Sequence, residues 1–302
     1  MFKKMGIKAY NVGDRDLALG IKLLKKLAGK AAFPFLSSNI LDQDGKPIFK
    51  PSVMLKVAGY KVAVIGAVTT VFVNRRQTVD EQKITVMPPE DLVAKEVQRR
   101  KKEGAEIFIL LGHLNSSENQ KVIDKSPELH FILGGQEMQY RHGLSPQGKT
   151  LIAEAFMRGK NLSVLHVEVN NGLMKFVDRN YKNSLVKRVS SLENQVKART
   201  TYIETAKKDP KKARSLEYFE RNLVQLKTEL QTTKMDLEDA TAPDPDASQV
   251  SWELKGVDTS LEEEKKVAEL VAAYRKKYPD PTKTKKPAAV LPTKKIGPRR
   301  SR

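Results

Sequence analysis

The residues of this sequence able to do chemistry lie in three separate places. The turn Gly13-Asp14-Arg15-Asp16 sets two carboxylates around one guanidinium. Such a cluster either closes on itself as a surface ion pair or offers its groups elsewhere, and the residue types alone allow both. His113 ends the apolar run EIFILLGH. An imidazole at a strand end can ligate a metal, although taken alone it more often only holds hydrogen bonds. Gly13, Gly112, Gly134 and Gly135 suit tight turns or a close approach of backbone to phosphate. His130, His142 and His166 fit no such arrangement, and His166 alternates with apolar neighbours as strand residues do.

The third place is the C-terminus, where Lys283, Lys285, Lys286, Lys294, Lys295, Arg299 and Arg300 lie in KTKKPAAVLPTKKIGPRRSR. Prolines, cations and few large apolar groups favour a solvated basic tail over residues 277–302. No aromatic residue interleaves with the cations, so stacking on bases is not offered. Nucleic acid held there would be bound without sequence preference and released by salt.

The whole chain bounds these readings. With 302 residues, 39% hydrophobic and 30% charged, it can bury one core and still carry extensions. A net charge of +19 draws anionic polymers or membrane surfaces at low ionic strength. Zero cysteines exclude disulfides, thiolate metal sites, covalently attached c-type haem and cysteine nucleophiles. No apolar run of about 18 residues is present, so no segment is expected to span a bilayer. MFKKMGIKAY has lysines but no apolar stretch behind them, which does not read as a signal peptide, and the compartment stays open.

The positioning elements follow from pattern. A helix end over Phe2 to Lys8 leads to a short strand, Ala9 to Val12, and then to the charged turn. Leu17, Ile21, Leu24 and Ala28 predict a helix over 17–30, and Phe33 to Ile40 a buried strand with Asn39 at its exit. Val53–Val57 and Lys61–Ala67 form a hairpin around Gly59-Tyr60. Pro89 to Glu103 is a helix with proline and acids at its start. Strands end at His113, at Gly134-Gly135, and over 151–156 and 162–169. Strands alternating with helices argue for an α/β core. After Asn180, two stripes at alternating steps of three and four (Leu185, Val189, Leu192, Val196; then Leu216, Phe219, Leu223, Leu226, Leu230) predict an antiparallel helical hairpin over 181–241. It packs on itself or accepts a partner's helix. A strand with the single Trp252 and a helix capped by Ser260 follow over 248–276.

Several blocks, in order, resemble the metallophosphoesterase (calcineurin-like) domain of the 5′-nucleotidase family. YNVGDRDLALG followed by FPFLSSNI is similar to that family's strand ending in Gly-Asn-His-Glu, its helix, and its Phe-Pro-Leu-Ser-Ala-Asn strand. KVAVIGAVTT, EIFILLGHLN, HFILGGQEM and GKNLSVLHVEVNNG resemble later blocks, including those ending in Ser-His-Leu-Gly and Gly-Gly-His-Ser-His. The likeness covers roughly residues 1–180 and implies a two-sheet α/β sandwich, N-terminally incomplete, followed by the α-helical hairpin. The block SWELKGVDTSLEEEKKVAELVAAYRKKY looks similar to the piece that joins this domain to a c-type cytochrome region in some bacterial relatives, without the haem-attaching cysteines.

The family's chemistry uses two divalent ions bridging a phosphate oxygen and a nucleophilic water. By resemblance, Asp14 stands at the asparagine ligand, Arg15 at the catalytic histidine, Asp16 at the glutamate and His113 at a retained histidine ligand. Gln136 and Met138 stand at the paired histidines. Arginine cannot act as a general acid near neutral pH, though it binds phosphate, and amide plus thioether is a poor pair for a hard ion. The expectation is therefore a degenerate phosphoesterase, a non-catalytic scaffold needing no cofactor. The alternative is a phosphoester hydrolase with a rearranged site, holding a manganese, zinc or iron-type ion on Asp14, His113 and Gln136 with Arg15 as phosphate clamp. The family's earlier Asp-x-His and Gly-Asp motifs are absent here and would supply central strands. An upstream start is the expected reason, with a partner or oligomer at the uncovered sheet edge as the other. The resemblance implies an extracytoplasmic location if an upstream signal peptide exists.

Overall fold

The computed structural model describes residues 5–73, 83–135, 143–155, 161–208, 213–240, 246–257 and 264–279. Gly6–Asp258 forms one compact unit, and Met1–Met5 with Thr259–Arg302 another. Among the described residues no helix is long and apolar enough to cross a membrane.

In the larger unit, β1 (Tyr10–Asn11) pairs in parallel with β2 (Phe35–Leu36), on either side of a 3-10 turn (Asp16–Leu19) and α1 (Ile21–Lys30). Leu24 of α1 is buried with Val12, Leu17, Phe49 and Val68. β3 (Ile40–Leu41) comes next, and then β4 (Ser52–Val57) and β5 (Tyr60–Val68) form the expected hairpin. Its turn residues Ala58 and Gly59 have φ of 48° and 93°. Two successive positive φ values suit the twist of a two-residue hairpin. A short α2 (Thr70–Val73) follows, and β6 (Thr85–Val86) pairs with β3.

α3 (Pro89–Lys102) has proline at its start, acids in its first turn and four cations in its last, so both ends complement the helix dipole. It is fastened to β4 by a buried network. Burial pushes the Glu96 carboxyl up, but hydrogen bonds from Arg99 and Ser52 outweigh this and hold it below the usual carboxylate range. β7 (Ile107–His113), α4 (Ser116–Lys125), β8 (Phe131–Gly134), β9 (Ser145–Gln147) and β10 (Thr150–Glu154) complete the main sheet, in the order β4-β5-β7-β8-β10-β9. β5, β7, β8 and β10 run parallel, so their C-terminal ends share one rim.

Alternation along these strands gives each face its own core. Ala63, Ile65, Phe108, Leu110 and Ile132 pack under Val93 and Val97 of α3 and Val122 and Ile123 of α4. Val62, Val64, Phe131, Leu151 and Ala153 face a second sheet of β11 (Asn161–Glu168), β12 (Phe176–Asp178) and β13 (Ser248–Gly256), in the order β11-β13-β12. Phe131 is fully buried between the sheets, 4.9 Å from the Phe176 ring, where truncation to alanine costs about 3–5 kcal/mol. The two-sheet α/β arrangement expected from the sequence is thus present.

α5 (Tyr181–Ala206) and α6 (Ala213–Asp239) form the helical hairpin. Leu185, Leu192, Ile203 and Leu226 are buried. Lys207 pairs with Glu220 near the turn, and Glu193 with Lys234 nearer the base, which fixes the antiparallel sense. In the smaller unit α7 (Lys265–Lys277) begins at Glu264, whose side chain accepts from the Val267 amide at 2.7 Å.

Five expectations change. Gly6, at φ 73°, and its neighbours make a turn and coil, not a helix end, over residues 5–8. The helix over 17–30 is broken at Gly20, whose φ of 85° and ψ of 138° no α-helix holds. The strand over 33–40 is split, because Ser37, Ser38 and Asn39 turn polar side chains into the interior. The strand and helix over 248–276 separate: β13 lies between β11 and β12, while α7 belongs to the other unit and starts after Ser260, which lies outside the described residues. α4, β9 and β12 are elements that the sequence reading does not contain.

Candidate functional site

The rim formed by the ends of β1, β7 and β8 encloses a hollow of about 290 Å³ lined by Tyr10, Asn11, Gly13, Asp16, Gly112, His113, Gly134 and Gly135. The turn after β1 is closed from within. Asp16 Oδ2 accepts from the Tyr10 hydroxyl at 2.8 Å and from the Gly13 amide at 2.9 Å. Burial and the Asp16 hydrogen bond both push the Tyr10 phenol well up, so it serves as a neutral donor.

Asp14, 3% exposed, places Oδ1 3.1 Å from His113 Nε2 at the end of β7. His113 is held by its own backbone, whose carbonyl accepts from the Thr69 amide at 2.8 Å. Thr69 is held in turn by Glu118. That carboxylate accepts from Thr69 Oγ1 at 2.8 Å and the Thr70 amide at 3.2 Å, while its second oxygen closes a capping box with Asn115 at the start of α4. One α4 residue therefore ties together the loops leaving β5 and β7.

Two glycines let this rim close. A Cβ on Gly66 would lie 2.6 Å from Leu36 Cβ and 2.9 Å from the Leu36 backbone carbon, so the β1–β2 pair can lie against β5 only over glycine. A Cβ on Gly134 would lie 2.2 Å from Glu154 Oε1, because the buried Glu154 side chain at the end of β10 folds across that residue. Asn39 spans the adjoining rim, donating to the Val68 and Met87 carbonyls and accepting from the Val68 amide.

The candidates from the sequence divide clearly. Asp14 and His113 come together. Arg15 is exposed and is not among the residues lining the hollow, while Asp14 contacts His113 and Asp16 accepts from Tyr10. Gln136 and Met138 lie outside the described residues, as do His142, Lys283, Lys285, Lys286, Lys294, Lys295, Arg299 and Arg300. His166 is exposed on β11. His130 lies far down the sheet, its Nδ1 accepting from the Phe108 amide at 3.0 Å. Burial lowers its pKa from 6.5 to about 4.

No protein-family model matches the chain. Over 136 residues it is 31% identical to Protein 5NUC of Lutzomyia longipalpis, across 42% of this chain and 23% of that protein. Over 210 residues it is 25% identical to a 5′-nucleotidase of Vibrio cholerae, across 59% of this chain and 38% of that one. The chain thus spans about a quarter to two fifths of the length of these curated relatives. The structure of a 5′-nucleotidase precursor from Thermus thermophilus superposes with a TM-score of 0.50 at 22% identity, covering 56% of this chain and 37% of that one. Sulfate thiohydrolase SoxB of the same species, in complex with glycerol, gives 0.51 at 23% identity, covering 55% and 30%. Over part of its length the chain is thus similar to curated 5′-nucleotidases and shares the fold of solved ones.

The resemblance implies divalent ions held at strand ends, and it is at such ends that the chain places Asp14 and His113. The described residues do not fit a pair of ions. Among them no group of three or more His, Cys, Asp or Glu side chains is placed to hold even one. Two adjacent donors fall short of the four to six that divalent ions of this kind take. Beside the pair are glycines, Tyr10, an Asp16 already engaged by two donors, and Asn11, whose Nδ2 donates to the Ala67 carbonyl and whose buried Oδ1 has no hydrogen-bond partner.

Sequence reasoning missed Glu118, Glu154 and Tyr10 in this phosphoesterase rim. The spacing Asn115-x-x-Glu118 is a visible capping-box signal. Glu154, the one carboxylate in an apolar strand, was visible as an anomaly. Tyr10 gave no signal beyond its place before the turn.

Proposed function

We propose that this chain is a phosphoesterase-type scaffold rather than a hydrolase. The observation that carries this reading is the contact between Asp14 Oδ1 and His113 Nε2 at 3.1 Å. Asp14 and His113, at the family's ligand positions, engage each other, and the position of the family's catalytic histidine is held by the exposed Arg15. The helical hairpin, with Leu185, Leu192, Ile203 and Leu226 buried, is then the surface available for protein contacts. The test is hydrolysis of nucleoside monophosphates or bis-p-nitrophenyl phosphate by the full chain with added manganese. No metal-dependent turnover is expected. Turnover that disappears in His113→Ala would overturn the reading.

One observation favours a rival. Two ligands at about 2.1 Å and at right angles on one ion lie about 3 Å apart, which is also the Asp14–His113 separation. In this second reading a single manganese, zinc or iron-type ion binds there, with Gln136 as a further ligand. Elemental analysis after incubation with each metal separates the two. Stoichiometric metal supports the rival, and its absence supports the scaffold.

A third reading gives the basic tail a role in holding anionic polymers, supported by its charge alone. Unchanged retention on heparin after deletion of residues 283–302 would remove it.

A further inference from the structure

α7 has no buried residue. At 3.6 residues per turn, Val267, Leu270, Val271 and Tyr274 fall on one face about 100° wide. Tyr278, just past the helix end, extends that face, its ring 5.0 Å from the Tyr274 ring. Leu270, Tyr274 and Tyr278 are 43%, 64% and 55% exposed. Lys266 and Lys277 border the face on one side and Arg275 on the other, with Glu264 beside Val267 and Val271 and Glu269 farther round the helix, both acids lining the same hollow as the two valines. Met5, of the same unit, is also exposed and shares a hollow with Val267 and Val271.

We propose that this face of α7 lies on an anionic lipid surface. Charge selects the occupant. Beyond Asp280 the sequence carries eight Lys and Arg and no acid. Nucleic acid would use the cations but leave Leu270, Val267 and Val271 without a partner. An uncharged partner helix would cover the apolar face but leave the bordering cations idle. An anionic bilayer engages both. Tyrosines sit at the headgroup level, lysine stems lie along apolar surface with their ammonium groups outward, and the basic segment adds long-range attraction. At about 1.5 Å per residue α7 is far too short to span the hydrocarbon, so it lies in the plane of the interface. A short apolar face binds marginally alone, and joining it to a polybasic segment gives the two signals that stable attachment requires. The inference is independent of whether the phosphoesterase rim is catalytic.

The experiment is co-sedimentation of the full chain with vesicles of phosphatidylcholine alone and of phosphatidylcholine mixed with phosphatidylglycerol. Binding to the mixed vesicles only is expected. Replacing Leu270 and Tyr274 together by glutamine removes apolar surface without changing charge or helix propensity much, and should lower the partition coefficient at least tenfold. Lys266→Gln should lower it about fivefold, from the contribution of one cation near an anionic surface. Trp252 lies in the other unit, so unchanged tryptophan emission reports that the core of each variant is intact. No binding to the mixed vesicles overturns the proposal. So does full binding by the double glutamine variant, which would leave attraction by the basic segment alone. Retention on single-stranded DNA matching that on vesicles, and equally indifferent to the double variant, would assign the segment to nucleic acid instead.

Discussion

Asp14 Oδ1 and His113 Nε2 meet at 3.1 Å across the ends of two strands, with the carboxylate almost fully buried and the imidazole reaching the hollow. If the contact is structural, His113→Ala removes one interaction of Asp14 in a place water reaches poorly. Since His113 is partly exposed, a cost of about 1–2 kcal/mol is expected rather than the full penalty of a sealed ion pair. Urea unfolding measures it. Millimolar manganese should leave the parent's unfolding midpoint unchanged, whereas a bound ion would raise it by mass action.

The two close-packed glycines should behave differently. Gly66→Ala drives a methyl into Leu36, including its backbone, and should cost about 3 kcal/mol with no relief from Asn11→Ala. Gly134→Ala meets only the Glu154 carboxylate, so a cost of about 1–3 kcal/mol is expected, and Glu154→Ala in the same chain should recover part of it. A double-mutant cycle with no coupling between residues 134 and 154 would contradict this packing.

Much of the frame is legible in the sequence, because apolar alternation places β5, β7 and β8, and heptad spacing places α5 and α6. What stays hidden depends on distant partners. β13 reads as an isolated strand, yet it pairs antiparallel with β11 and parallel with β12. α4 has little apolar stripe and shows itself mainly through Asn115 and Glu118. Ser37–Asn39 look like strand residues, but the Ser37 and Ser38 amides donate to the Lys50 and Gly66 carbonyls and the Asn39 side chain to those of Val68 and Met87, all far along the chain. At the rim, Asp14 and His113 are each recognisable as candidates. Their mutual contact is not, because only the parallel order of the strands brings them together.

Glu118 links α4 to the loops on both sides of His113. Glu118→Ala removes the capping box and the acceptor for Thr69 and Thr70, with an expected loss of about 2–3 kcal/mol. Glu118→Gln keeps one acceptor and should lose less. Amide hydrogen exchange should show the added opening at Thr69, Thr70 and Asn115 rather than at the hairpin.

His130 makes stability depend on pH in a window of its own. Its folded pKa of about 4 lies below the ordinary 6.5, because burial disfavours the charged ring. Folding therefore holds it neutral. Its stabilising share is complete above pH 6.5 and is lost as pH falls toward 4, where the unfolded chain binds the extra proton. The shift corresponds to about 2–3 kcal/mol lost between pH 7 and pH 4.5. Glu96 and Glu128, held low by their partners, lose their contributions only below the ordinary carboxylate value of 4.5, so the upper window belongs to the imidazole. Asp178, whose carboxyl burial pushes up, works in the opposite sense and cannot produce the loss. His130→Asn removes the titration but keeps a side-chain oxygen to accept from the Phe108 amide in place of Nδ1. Urea midpoints at pH 7 and pH 4.5 should differ markedly in the parent and little in this variant. An equal drop in both would place the titrating group elsewhere.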